Sequence, residues 1–196
     1  MAKLYYQGHG SFRITSADGK VLYVDPYLGD GYDKKCDLLI ISHEHHDHTK
    51  TEIIKFNDGA VCYRAKDFIA DNGYNSYSVS GFTITGVPAE NKNHKREECV
   101  GFIIEVDGVK IYASGDTSTT KEMKTLKKLR IDYALLCCDG IYNMDAKEAS
   151  KCAKKIGAKH SIPYHTYPEH LFSEEVASLF TAKNKKVLHP SEEIQL

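Results

Sequence analysis

Residues 38–48 constrain this chain more than any other stretch. Leu38-Leu39-Ile40-Ile41 is a continuous apolar run, and Ser42-His43-Glu44-His45-His46-Asp47-His48 follows it directly. A run with no polar face is the pattern of a strand buried on both sides. It points to a sheet inside a layered fold, with the histidines on a loop that the sheet holds. Four of the ten histidines lie between positions 43 and 48, and that density points to metal. Zinc accepts imidazole nitrogen and carboxylate oxygen, at about 2.0–2.2 Å. In H-x-H-x-D-H, alternating residues project to one side of an extended turn. His43 and His45 can therefore grip one ion while Asp47 and His48 reach a second. The other reading is a polar loop, or a helix start with Asp47 as its cap. Two ions need more donors than this loop carries, so other segments must supply them.

The rest of the chain offers such segments. Strands are expected at Leu4–Gln7, Ser11–Thr15 and Val21–Val24, the last two joined as a hairpin through Asp18-Gly19. A short helix is expected over Thr51–Phe56, a strand over Val61–Tyr63 and a helix over Ala65–Asn72 closed by Gly73. Strands return at Tyr77–Val79, Phe82–Val87, Gly101–Val106 and Val109–Ser114. Thr120–Leu129 reads as a helix, Tyr133–Cys137 as a strand, Ala146–Ile156 as a helix and His160–Pro163 as a strand. A helix over Ser173–Thr181 and a strand over Lys186–Leu188 complete the pattern. Strands first, then βα alternation, indicate mixed sheets with helices packed outside them. With no linker, repeat or low-complexity segment, residues 1–196 read as a single domain.

Three more apolar strands lead into a ligand-type residue. Phe82–Val87 leads to His94, Val109–Ser114 to Asp116, and His160–Pro163 to His165. Loops beyond strand ends are where a rigid sheet positions functional groups. Each position alone is ambiguous, and Asp116 reads equally well as a turn residue or a helix cap. Together with residues 43–48 they form a coherent donor set.

Composition narrows the function classes. Net charge is −1, from 26 basic and 27 acidic side chains, without the basic excess of nucleic-acid binders. The six scattered cysteines include no CxxC pair and suit reduced thiols better than a disulfide scaffold. The N-terminus lacks a signal-peptide pattern, and no apolar run approaches the ~20 residues of a membrane span. A soluble, cytoplasmic protein is expected.

These motifs resemble the metallo-β-lactamase superfamily, and within it the small hydrolases similar to ascorbate-6-phosphate lactonase. The resemblance is carried by Gln7-Gly8-His9-Gly10-Ser11-Phe12, Val24-Asp25-Pro26, the His43–His48 motif, Val87-Pro88-Ala89 with His94, Gly115-Asp116-Thr117 and Ile162-Pro163-Tyr164-His165. It implies an α/β four-layer αββα sandwich, two mixed sheets with helices on the outer faces. It further implies His43, His45 and His94 on one metal, Asp47, His48 and His165 on the other, and Asp116 bridging them. Departures lie at Ser42, Glu90 and Cys137-Cys138-Asp139, none of them a ligand position.

The activity so implied is hydrolysis of an ester, lactone or phosphoester in a small molecule by a metal-bridging hydroxide, with Asp47 handling the proton and Asp116 fixing the metals. Two divalent ions are expected, Zn2+ first, with Mn2+ and Fe2+ suited to the same donors. His9 is balanced between a site-lining residue and a plain turn. Asp25 either supports a ligand histidine or caps its turn. Tyr164, Tyr167 and His170 are candidate substrate contacts. A non-catalytic metal-dependent binding or regulatory module and a phosphodiesterase or nuclease of the same fold are the alternatives. No nucleic-acid or membrane partner is expected, and homo-oligomerisation is left open.

Overall fold

The computed structural model describes all 196 residues. The chain begins with strands β1 (Lys3–Gly8), β2 (Ser11–Thr15), β3 (Val21–Val24) and β4 (Cys36–Ile41). A 3-10 turn at Thr51–Ile53 leads to β5 (Phe56–Arg64), helix α1 (Ala65–Phe68) and a small hairpin of β6 (Ile69–Ala70) and β7 (Gly73–Tyr74). Next come β8 (Ser76–Val79), β9 (Phe82–Pro88), β10 (Val100–Val106) and β11 (Val109–Ala113). Two 3-10 turns precede β12 (Tyr133–Cys137), α2 (Ala146–Ile156), β13 (His160–Tyr164), α3 (Glu174–Leu179) and β14 (Glu193–Gln195). One six-stranded sheet has the order β14-β1-β2-β3-β4-β5, and the other β13-β12-β11-β10-β9-β8. Both are mixed.

The two sheets and α2 share one core of 41 buried residues. Phe12, Leu22, Leu38 and Ile40 from the first sheet belong to it with Ile84, Phe102, Ile104 and Ile111 from the second. Outside the second sheet, α2 presents Ala149, Cys152, Ala153 and Ile156 at helical spacing. Asp145 caps that helix by accepting from the Glu148 amide, and Gly157 ends it in the left-handed conformation. The cover of the first sheet is thinner. Its outward residues Leu39 and Ile41 are fully buried, but under the turn residues Ile53 and Ile54 and the loop residue Tyr32, not under an α-helix. Each buried side chain of that size is worth roughly 1.5–3 kcal/mol, so even this cover stabilises substantially. The αββα sandwich expected from the resemblance is present, with one outer layer reduced to a turn.

Four expected elements differ. Thr51–Phe56 is only a 3-10 turn, because Phe56 already pairs with Cys36 of β4. The helix expected to reach Asn72 stops at Phe68, where the chain reverses through Asp71-Asn72 into the β6–β7 hairpin. Thr120–Leu129 is two 3-10 turns. Its buried residues, Met123 and Leu126, stand three apart, the repeat of that helix. Lys186–Leu188 is not a strand; a single bridge pairs Lys185 with Ser161, and the last strand is β14 on the edge of β1. No helix is long and apolar enough to cross a membrane.

Pairing directions decide where the chemistry collects. β1, β3 and β4 run the same way in the first sheet, as do β9, β11, β12 and β13 in the second. The segments that follow their C-terminal ends begin with His9, Asp25 and Ser42-His43, and carry His94, Asp116, Asp139 and His165.

Candidate metal centre

Asp116 stands at the middle of the cluster, and its two carboxylate oxygens face different histidines. Oδ2 lies 3.4 Å from His94 Nε2 and 4.0 Å from His43 Nε2. Oδ1 lies 3.6 Å from His48 Nε2 and 3.5 Å from His165 Nε2. Donor atoms of His43, His45 and His94 fall within 4.8 Å of one another, and so do those of His9, Asp47, His48 and His165. The seven expected ligand residues are thus brought together, in two groups on either side of one carboxylate.

A hydrogen-bond chain aims the imidazoles. Asp25 Oδ1 accepts from the Ser42 amide at 2.7 Å, and Oδ2 accepts from Ser42 Oγ at 2.6 Å. The same Oδ2 lies 3.0 Å from His48 Nδ1, which must donate to it. The Ser42 proton being committed to Asp25, His43 Nδ1 donates to Ser42 Oγ across 3.0 Å. One carboxylate thereby fixes the tautomers of two histidines and leaves both Nε2 lone pairs facing Asp116. Asn91 does the same for His94, with Oδ1 3.0 Å from Nδ1. Asn143 donates to Asp116 Oδ2 at 2.9 Å and to Asp139 Oδ2 at 2.7 Å. The other oxygen of Asp139 collects the amides of Ile141, Tyr142 and Asn143.

The backbone is strained where it delivers these groups. His9, Asp25 and His165 all have positive φ, an uncommon state for side-chain-bearing residues that gathers at functional sites. Gly115 has φ +59°, and a Cβ there would lie 2.6 Å from the Val100 carbonyl oxygen. Gly10 has no such φ, but a Cβ on it would meet the His48 ring at 2.9 Å.

Electrostatics follow from burial and crowding. Burial works against charge on Asp116, yet His165, His48, His43 and His94 hold its carboxyl well below the usual range. Burial pushes His43 and His94 down. Burial also opposes charge on His48, but Asp116 and Asp25 outweigh it and lift this imidazole to about 9, so the Nε2 position facing Asp116 attracts a proton or, in its place, a metal ion. Nε2 of His43, His48, His94 and His165, together with Asp116 Oδ1, are buried without any hydrogen-bond partner. Leaving one buried polar atom unpaired costs about 1–3 kcal/mol, and five in one spot require a compensating group. Imidazole nitrogens and carboxylate oxygens are the donors a divalent transition-metal ion takes, so the residues fit such an ion.

His9 is fully buried and does not line the cleft. Its ring centroid lies 3.9 Å from that of His165 and its Nε2 3.6 Å from Asp47 Oδ2, so it backs the cluster. Tyr164 is not a substrate contact either: it is buried, and its hydroxyl accepts from the Gly115 amide at 3.0 Å. Tyr167 and His170 pack on each other beside the cleft and do not line it. His46 is exposed, and Glu44 pairs with Arg64. Sequence reasoning missed Ser42, Asn91, Asp139 and Asn143 as positioning groups. Two carried a signal. Ser42 adjoins a ligand histidine, and Asn91 precedes His94 by the three residues of an Asx turn. The cleft above the donors holds about 290 Å3 and is lined by His45, Asp47, His94, Asp116 and His165, with Asn93, Tyr142 and Glu169 at its mouth.

A sandwich whose paired strand ends present a two-sided histidine–aspartate cluster defines a fold class, and sequence comparison places the chain within it. Residues 3–165 match the β-lactamase superfamily domain, and the chain belongs to that superfamily. It is 31% identical to a UPF0173 metal-dependent hydrolase of Thermococcus onnurineus, over 86% of this chain and 87% of the relative. A second UPF0173 metal-dependent hydrolase, from Pyrococcus abyssi, is 30% identical over the full length of both. Among solved structures, Igni18, a metallo hydrolase from Ignicoccus hospitalis, superposes with a TM-score of 0.72 at 25% identity, covering 98% of this chain and 97% of that one.

Proposed function

We propose that this chain is a metal-dependent hydrolase that holds two divalent cations and cleaves an ester, lactone or phosphoester bond in a small molecule. The observation that carries the reading is the buried, unpartnered donor set divided between the two oxygens of Asp116. In this reading His43, His45 and His94 would hold one ion, Asp47, His48 and His165 the other, and Asp116 would serve both. Zn2+ is the expected ion, and Mn2+ or Fe2+ suits the same donors. Such ions, when bound, polarise the scissile group and lower the pKa of water towards ~7. The family relationship and the names of the archaeal relatives support hydrolysis.

The remaining work falls to side chains of the protein. Asp47 is partly exposed on the cleft wall, and in this reading it would take a proton from the attacking water and return it to the leaving oxygen. Asn143 and Asp139 hold Asp116 from behind. A cleft of about 290 Å3 admits a small molecule.

Elemental analysis of protein purified without chelator, beside His45→Ala and Asp116→Ala, is the direct test. Two equivalents per chain are expected, falling in both variants. Turnover of p-nitrophenyl esters, γ-lactones or bis-p-nitrophenyl phosphate should vanish with chelator and return with metal. Failure to bind any metal, or full turnover by Asp116→Ala, overturns the reading.

A further inference from the structure

The charge of the cleft walls bears on which small molecule the site takes. The scissile end of a substrate must reach the donors around Asp116, so its remote portion lies against the outer walls. Ten residues line the cleft, and none is lysine or arginine. Asp47 being one of the donors, the outer walls carry the carboxylate of Glu169, the exposed imidazole of His46 and the ring of Tyr142, which is 54% exposed. An adjoining hollow of about 330 Å3 shares His45, Asn93 and His94 with the cleft. It adds Glu44, Glu97 and Glu98 against a single Lys66.

Lys66 apart, cations close to the mouth are already engaged. Arg64 pairs with Glu44 at 2.6 Å, Lys95 with Glu98 at 3.0 Å, and Arg96 with Glu122 at 2.9 Å and Glu90 at 3.0 Å. Lys92 lines neither hollow. Glu169 and Glu97, by contrast, form no ion pair within the chain. Within the cleft, a phosphate or carboxylate on the remote part of a substrate therefore finds no lysine or arginine and meets the carboxylate of Glu169, while the unpaired Lys66 of the adjoining hollow is offset by the unpaired Glu97 beside it. An ammonium group finds a free carboxylate and an aromatic face, which attract cations together.

We infer that the site takes a small ester or lactone whose portion remote from the scissile bond carries a cationic nitrogen, and discriminates against anionic tails. This rests on the hydrolase reading for the bond cleaved, but recognition of the tail can be measured apart from turnover. Three carboxylates of one length isolate the tail charge: 4-(trimethylammonio)butyrate, its uncharged isostere 5,5-dimethylhexanoate, and 4-sulfobutyrate. Each offers one carboxylate to the centre. Their binding to the protein as purified, with its metal, is measured by calorimetry in low salt.

An exposed ion pair contributes up to about fivefold and an exposed cation–π contact about two- to fivefold. The cationic acid should therefore bind roughly tenfold tighter than the isostere, and the sulfonate weaker than both. Glu169→Gln should cut the cationic preference about threefold and leave the isostere unchanged, and Tyr142→Ala, which also takes apolar contact from the isostere, should cut the preference about threefold. Salt at ~0.5 M should remove the part due to Glu169. Equal or tighter binding of the sulfonate, no measurable binding of any of the three, or a preference untouched by both variants overturns the inference. The expected order, without turnover of the matching p-nitrophenyl esters, upholds the recognition and overturns only the hydrolase reading.

Discussion

Asp25→Asn is the substitution that the donor geometry predicts in most detail. The amide oxygen can keep the Ser42 amide bond, formed at 2.7 Å on Oδ1. Its NH2 then replaces Oδ2, which Ser42 Oγ approaches at 2.6 Å and His48 Nδ1 at 3.0 Å. Both former donors must now accept. His48 moves its hydrogen to Nε2, and Ser42 turns its own towards His43 Nδ1, forcing the same change there. Flipping the amide instead would set NH2 against the Ser42 N–H. One buried oxygen-to-nitrogen exchange thus turns a lone pair away from each side of Asp116.

Loss of such a supporting contact typically costs 10–100-fold in metal affinity, or about 1.4–2.7 kcal/mol per site. Exchanging two charge-assisted hydrogen bonds for neutral ones should also lower the stability of the metal-free protein by roughly 2–3 kcal/mol. Competition with a chromophoric chelator gives the affinity, urea unfolding of metal-free protein gives the stability, and nitrogen chemical shifts of the imidazoles report the tautomers. Wild-type metal affinity in Asp25→Asn, with His43 and His48 still protonated on Nδ1, would refute the argument.

Three further outcomes are expected. Gly115→Ala combines a positive φ with a Cβ 2.6 Å from the Val100 oxygen. It should lower stability by about 1–3 kcal/mol and displace Asp116, seen as weaker metal binding as well as a lower Tm. Tyr164→Phe strips the Gly115 amide of its acceptor at a cost of about 1–3 kcal/mol, with Tm falling roughly 2–4 °C per kcal/mol in calorimetry. Asp132 accepts from the Lys110 amide at 2.8 Å and pairs with Lys159 at 2.7 Å. Burial works against its charge, but these two partners depress its pKa. Its contribution is therefore present above the unfolded-state value of about 3.9 and lost as pH falls through the lower folded value. Asp132→Asn should reduce stability by about 1 kcal/mol at neutral pH and flatten the acid limb of urea midpoints between pH 5 and 2.

The parts of the fold legible in the sequence were those where burial is one-sided or complete. Leu38–Ile41 and Tyr133–Cys137 are apolar because both faces are covered, and Ala146–Ile156 repeats at helical spacing because one face is. β14 escaped notice because Glu193-Ile194-Gln195 buries little and owes its state to backbone pairing with β1. The short α1 was misjudged because local propensity favours a longer helix, while Phe68 anchors in the core and the Asp71-Asn72-Gly73 turn reverses the chain. Within the centre, the donors were legible from their positions after strands. Asn143 and Asp139 were not, since Asn143 reaches back 27 residues to Asp116 and Asp139 Oδ2 faces His165 Nδ1, 26 residues further on, at 3.6 Å, and only the sheet brings them together.

The donors are unevenly divided along the chain, and this bears on how an ion couples to folding. His43, His45, Asp47 and His48 lie within six residues on the first sheet, whereas His94, Asp116 and His165 come from the second. An unfolded chain keeps the first four as a local chelate, while the other three join only when the sheets dock. Any affinity of that chelate for metal subtracts from the stabilisation that the complete set provides, because the unfolded state then shares in the binding. What a cation contributes to stability is therefore the affinity added by three late-arriving donors. In that sense a bound cation would act as a clasp between the sheets, closed from the second side.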